Sequence, residues 1–178
     1  MFAFFPCPQW HFACVYSPDK RAKIRALVEA EEQKNYEKRM KKTWVHDVDH
    51  LVNALHATDG QSAVVKQYLT DAPCLIVVFK QTHARDAATG ARVEHYYVMQ
   101  NVGIAAGFFI AAVHNAGLVT LPSTPMGAEK AIRELCGRPP NEKVFLLLPV
   151  GFPARGATVP YRAPGAERKP LATIMSEL

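Results

Sequence analysis

A chain of 178 residues, 49% of them apolar and 21% charged, has the size and composition of one globular domain that buries about two-thirds of its unfolded surface. Its net charge of +5 comes mainly from the runs KRAK (residues 20–23) and KRMKK (residues 38–42). With Glu29, Glu31, Glu32 and Glu37 interleaved and no nucleic-acid-binding motif alongside, these runs describe a solvated helix face rather than a nucleic-acid surface, though a pull on phosphate-like anions stays open.

The N-terminal MFAFFPC is apolar but has no basic leader, contains Pro6 and is too short for a signal peptide. HFACVY (residues 11–16) predicts a strand of aromatic and β-branched residues. Ser17-Pro18-Asp19 then supplies an N-cap, a proline at the first helical position and an acid in the first turn. The helix it opens is expected to reach about Met40, with Ile24, Leu27, Val28, Tyr36 and Met40 as sparse apolar positions. Its second half is almost wholly charged, which predicts a mobile cover continuing through residues 44–68.

PCLIVVFK (residues 73–80) and VFLLLPV (residues 144–150) are apolar runs bounded by prolines and polar residues, so both predict buried strands. Residues 83–91, with Arg85, Asp86 and Thr89-Gly90, predict a surface connection. Residues 102–113 carry no charge and are apolar all round the helical wheel, which predicts a buried central helix. That run is shorter than the roughly 20 residues that cross a bilayer, and Gly117 follows it as a left-handed C-cap. The loop TLPSTP (residues 120–125) hangs hydroxyls on the end of this element, and residues 126–136 predict another helix stopped by Gly137. From Gly151 on, prolines and the lack of a long apolar run predict an extended tail that needs a surface to lie on, such as a partner subunit. The whole is a small mixed α+β domain.

Cys7, Cys14, Cys74 and Cys136 include no C-x-x-C pair, which argues against a zinc ribbon or a thioredoxin-like site and fits a reducing compartment. Cys74 and Cys136 sit in apolar contexts that predict core positions. His46 and His50 in HDVDH share a helix face, with His56 beyond, yet lack a glutamate or a further ligand at metal spacing, so no metal site is expected. No G-x-S-x-G, Walker or G-x-G-x-x-G motif is present. Gly103 and Gly107 form a G-x-x-x-G that allows close packing in a core or a dimer interface. Glu32 and Tyr36, four apart, can meet one ligand; with a nearby cation they would suit a zwitterion, and without one they are surface decoration.

NYEKRM, TWV, PCLIVVFKQ, EHYY, NAGLVT, GRPPNEK, LLLPVGFP, ATVP and RKPLATIM together closely resemble the iodotyrosine deiodinase family, an FMN-dependent branch of the nitroreductase superfamily, from about Trp10 to the C-terminus. The resemblance implies a single nitroreductase-like α+β domain over residues 1–178, with a lid at about 31–68, a C-terminal exchange arm at about 151–178, and a homodimer holding FMN at its interface. It implies reductive removal of iodide or another halide from mono- and diiodotyrosine, with electrons from NAD(P)H through a separate flavin reductase. Glu32, Tyr36 and Lys66 match the residues that hold the amino-acid zwitterion; Ser123 and Thr124 fall in the loop against the flavin, and Arg168 matches an FMN-contacting arginine. A hydroxyl donor at the flavin N5 favours one-electron chemistry. No nucleic acid and no membrane segment enter this reading, and a cytoplasmic location is expected.

Four features depart from the family pattern. The arginine-rich R-R-S-x-R segment that meets the FMN phosphate has no counterpart here, which leads to the expectation of an N-terminally truncated chain. Phe2-Ala3-Phe4-Phe5-Pro6 stands where a P-S-G-A loop belongs. Pro122 occupies the usual N5-donor position with neither hydroxyl nor N–H. Residues 53–63 lengthen the lid. Two alternatives therefore accompany the dehalogenase: a non-catalytic, cofactor-poor subunit that binds or dimerises, and a general nitroreductase or flavin reductase.

Overall fold

The computed structural model describes residues 9–38, 66–157 and 169–176. The predicted strands form, with slightly different ends: β1 (Trp10–Val15), β2 (Cys74–Gln81) and β6 (Glu142–Gly151). With the two-residue β5 (Val119–Thr120) they make an antiparallel sheet ordered β1-β2-β6-β5. β2 is interior and buried on both faces, which explains its unbroken apolar run. Leu75, Val77 and Phe79 join Leu147 on one face, while Ile76 and Val78 join Leu148 on the other. Such two-sided burial suits β-branched and aromatic side chains standing off a pleated sheet.

The first face is covered by α1 (Pro18–Lys38) through Ile24 and Val28, one helical turn apart, and by α4 (Glu129–Leu135) through Ile132. Arg21 pins the start of α1, donating from Nη1 to Tyr16 O at 2.5 Å and Pro73 O at 2.7 Å. A one-turn helix, α2 (Tyr68–Asp71), adds Leu69 to this core.

The other face carries α3 (Val98–Asn115), in which Val102, Ala106 and Val113 are buried. At 18 residues it extends beyond the apolar run seen in the sequence, and by length and composition alone it is long enough to cross a membrane. It closes as expected: Gly117 has φ +75°, Leu118 N–H reaches Val113 O at 3.1 Å, and Gly117 N–H reaches His114 O at 3.0 Å. The expectation of a helix enclosed on every side is corrected for the described residues, which cover one face and leave Ile104 60% and Phe108 75% exposed. The sheet is a single surface, so it buries one stripe of a helix and no more.

The surface connection expected at residues 83–91 is largely a hairpin of β3 (His83–Arg85) and β4 (Arg92–Glu94). In the C-terminal region, residues 169–176 are all exposed and include one 3-10 turn (Leu171–Thr173).

Candidate functional site

The second half of α1 forms one wall of a polar cluster. Glu29 accepts from Arg25 Nε at 2.7 Å and from the main-chain N–H of Lys66, also at 2.7 Å. One turn on, Glu32 Oε1 meets Lys66 Nζ at 2.8 Å, with the two side chains only 16% and 8% exposed. Lys66 is thus fastened to α1 by its backbone and its side chain together. Glu32 and Lys66, expected from the resemblance to share one ligand, are paired with each other in a partly desolvated setting.

The facing wall is the loop after β5. Ser123 is held to the edge of β6 by both main-chain groups: its N–H donates to Leu147 O at 2.9 Å and its C=O accepts from Leu147 N at 2.8 Å. Pro122 immediately before it brings no donor. Asn35 Nδ2, on the same side of α1 as Glu32, donates to Met126 O at 3.1 Å and draws the loop against the helix. Gly127, with φ +94°, holds a backbone conformation that other residues rarely adopt, beside Glu31, whose Oε2 would stand 2.9 Å from an added Cβ.

Tyr68 bridges the two walls. Its hydroxyl donates to Ser123 Oγ across a long 3.3 Å, and its ring centroid lies 5.9 Å from Lys66 Nζ. Because Ser123 Oγ accepts from Tyr68, its own hydrogen is left to be donated elsewhere. Thr120 Oγ1, at the root of the loop, is buried without a hydrogen-bond partner among the described residues.

Of the sequence-predicted site residues, Glu32 and Lys66 are in contact, and Tyr68 links Lys66 to Ser123. Thr124 lies beside Ser123 in an exposed position, its C=O accepting from Met126 N at 2.9 Å. Tyr36 falls on the helical backbone of α1, but its side chain lies outside the described residues. Arg168, residues 39–65 with His46, His50 and His56, and Cys7 also lie outside them. Among the described residues no three His, Cys, Asp or Glu side chains gather as metal ligands. Cys74 and Cys136 are half-buried rather than enclosed, and burial pushes both thiols above their ordinary pKa.

Asn35 and Tyr68 were not picked out from sequence. The available signals were slight: Asn35 one turn from Glu32, and Tyr68 two residues after Lys66.

Among known protein families, residues 5–152 match the Nitroreductase family. Iodotyrosine deiodinase 1 of Rattus norvegicus is 45% identical over 166 residues, covering 93% of this chain and 53% of the rat protein. Iodotyrosine deiodinase of Daphnia pulex is likewise 45% identical over 166 residues, covering 93% of this chain and 51% of its own length. The chain therefore spans about half the length of the curated relatives it matches. Among solved structures, an oxidized iodotyrosine deiodinase bound to FMN and 3-iodo-L-tyrosine superposes with a TM-score of 0.63 at 22% identity, over 87% of this chain and 72% of that one. At that identity the likeness speaks for the fold.

Proposed function

The chain belongs to the nitroreductase family, and from that premise we propose that it serves as a flavin-dependent reductive dehalogenase of halotyrosines. The observation that carries this reading is the Glu32–Lys66 pair, a carboxylate and an ammonium 2.8 Å apart beside the Ser123 loop. A halotyrosine zwitterion offers the complementary charges. Its ammonium meets Glu32 and its carboxylate meets Lys66, so one internal ion pair is exchanged for two with the ligand. The 45% identity to iodotyrosine deiodinases supports the same substrate class.

The residues present fit the ring side of FMN. Ser123 has spent both main-chain groups on Leu147 and keeps a hydroxyl hydrogen to give, while Thr120 Oγ1 is a buried oxygen still lacking a partner among the described residues. Ser123 thereby replaces the donor that Pro122 cannot be. Thr124 shares the loop, and Arg168 is the residue proposed to hold the phosphate side. FMN, when bound, supplies the electrons for halide removal. The chain's own part is to orient the amino acid and to hold a proton at Ser123 Oγ. A homodimer, reduction by NAD(P)H through a separate reductase, and a reducing, cytoplasmic setting complete the proposal; the free thiols of Cys14, Cys74 and Cys136 are in keeping with that setting.

The test is direct. The purified chain mixed with FMN is expected to carry flavin absorption through gel filtration and to bind 3-iodo-L-tyrosine. Glu32→Gln is expected to weaken that binding at least about tenfold, the loss of one charge-assisted contact. A protein that stays colourless, or one that reduces nitroaromatics and is indifferent to Glu32→Gln, would overturn the reading.

A further inference from the structure

We propose that Tyr68 is a positioning residue that makes the site select an amino acid over a bare halophenol, a role that rests on the halotyrosine reading above. Three observations meet at this side chain. Its ring lies 5.9 Å from Lys66 Nζ, within the range where an aromatic face attracts a cation. Its hydroxyl is anchored to Ser123 Oγ, 55 residues away on the opposite wall. Ser123 in turn is locked to β6 by two main-chain bonds. The lysine that is to receive the ligand's carboxylate is therefore steadied from two sides, by Glu32 at 2.8 Å and by a ring whose far end is tied to the sheet.

This support matters most once the ligand is bound. When the ligand's ammonium takes Glu32, Lys66 shares that carboxylate with the ligand. The Tyr68 ring is then the fixed surface holding the ammonium group near its place, so less side-chain freedom is lost on binding. A ligand without the zwitterion makes no demand on Lys66 and gains nothing from Tyr68.

The experiment measures dissociation constants of 3-iodo-L-tyrosine and of 2-iodophenol by calorimetry on the FMN-loaded full chain and two variants. Tyr68→Phe, which keeps the ring and drops the anchor, is expected to weaken iodotyrosine about three- to tenfold. Tyr68→Leu, which removes the ring as well, is expected to weaken it further. Both are expected to leave 2-iodophenol within about twofold. A merely structural role would lower both ligands together, and that result, or unchanged iodotyrosine binding in Tyr68→Phe, overturns the proposal while leaving the dehalogenase reading intact. A wild-type protein that takes FMN but not iodotyrosine overturns both.

Discussion

Glu32 and Lys66 are each poorly placed without the other. Their side chains are 16% and 8% exposed, so removing one partner leaves the other charge partly stripped of water. Lys66→Met is expected to lower stability by about 2–3 kcal/mol, somewhat less than for a fully buried pair. The double variant Glu32→Gln/Lys66→Met is expected to regain most of that in urea unfolding while binding no halotyrosine, which separates the pair's structural from its functional share. A double variant as unstable as the single would show that the pair itself holds the fold. Asp86 is a second residue whose charge matters locally. Its Oδ1 accepts from Thr89 Oγ1 at 2.7 Å and Thr89 N at 2.8 Å, which holds its carboxyl below the ordinary aspartate pKa. The lowered folded-state pKa means that the turn's contribution is present above the ordinary value and is lost as pH falls through the depressed one. Titration by NMR is expected to show that depression in the wild type and its partial reversal in Thr89→Ala. At this scale, legibility follows distance along the chain: Gly117 was readable because its cap is local, whereas Asn35 and Tyr68 acquire meaning only from partners 91 and 55 residues away.

The central helix shows what a sequence pattern says about an element and what it leaves open. Residues apolar on all sides call for cover on all sides. The pattern does not say whose surface provides it. In this chain the sheet takes Val102, Ala106 and Val113, and the opposite stripe, with Ile104 and Phe108, faces outward. Gly103 and Gly107 lie on that outward side with nothing within 4 Å of an added Cβ. Small residues beside exposed large ones are what a second helix needs to pack closely, in keeping with the proposed homodimer. Gly107→Leu makes a sharp test. It meets no atom of its own chain and improves helix propensity by roughly 0.5–1 kcal/mol, so the isolated fold is expected to keep or gain helix stability. The same side chain blocks close approach of a partner, so sedimentation is expected to show dissociation toward monomer. A dimer that persists unchanged would place the interface elsewhere. The short strands were illegible for a different reason. Two residues of β5 and three each of β3 and β4 are too few to show alternation, and only their pairing makes them strands.

Across the whole molecule, the sheet is a partition with different work on each side. Its interior strands were readable because burial on both faces leaves continuous apolar runs; the order β1-β2-β6-β5 was not, because it is fixed by pairings far apart in sequence. Leu147 and Leu148 sit next to each other on β6, both fully buried, and point to opposite sides. Leu147 supports the layer of α1 and α4, and α1 carries Glu32. Leu148 supports the layer seated by Val102 of α3. Truncating either to alanine is expected to cost about 2–5 kcal/mol, the transfer loss plus the cavity left behind. Their stability losses should therefore be similar, and their functional consequences should not. Leu147→Ala loosens the helix that presents Glu32, so iodotyrosine affinity is expected to fall while the assembly state holds. Leu148→Ala loosens the bed of α3, so dimerisation is expected to weaken first. The decisive measurement is the pair of ratios, halotyrosine affinity and dimer affinity for each variant, taken below the onset of unfolding. Equal effects of both substitutions on both properties would mean that the two faces behave as one core.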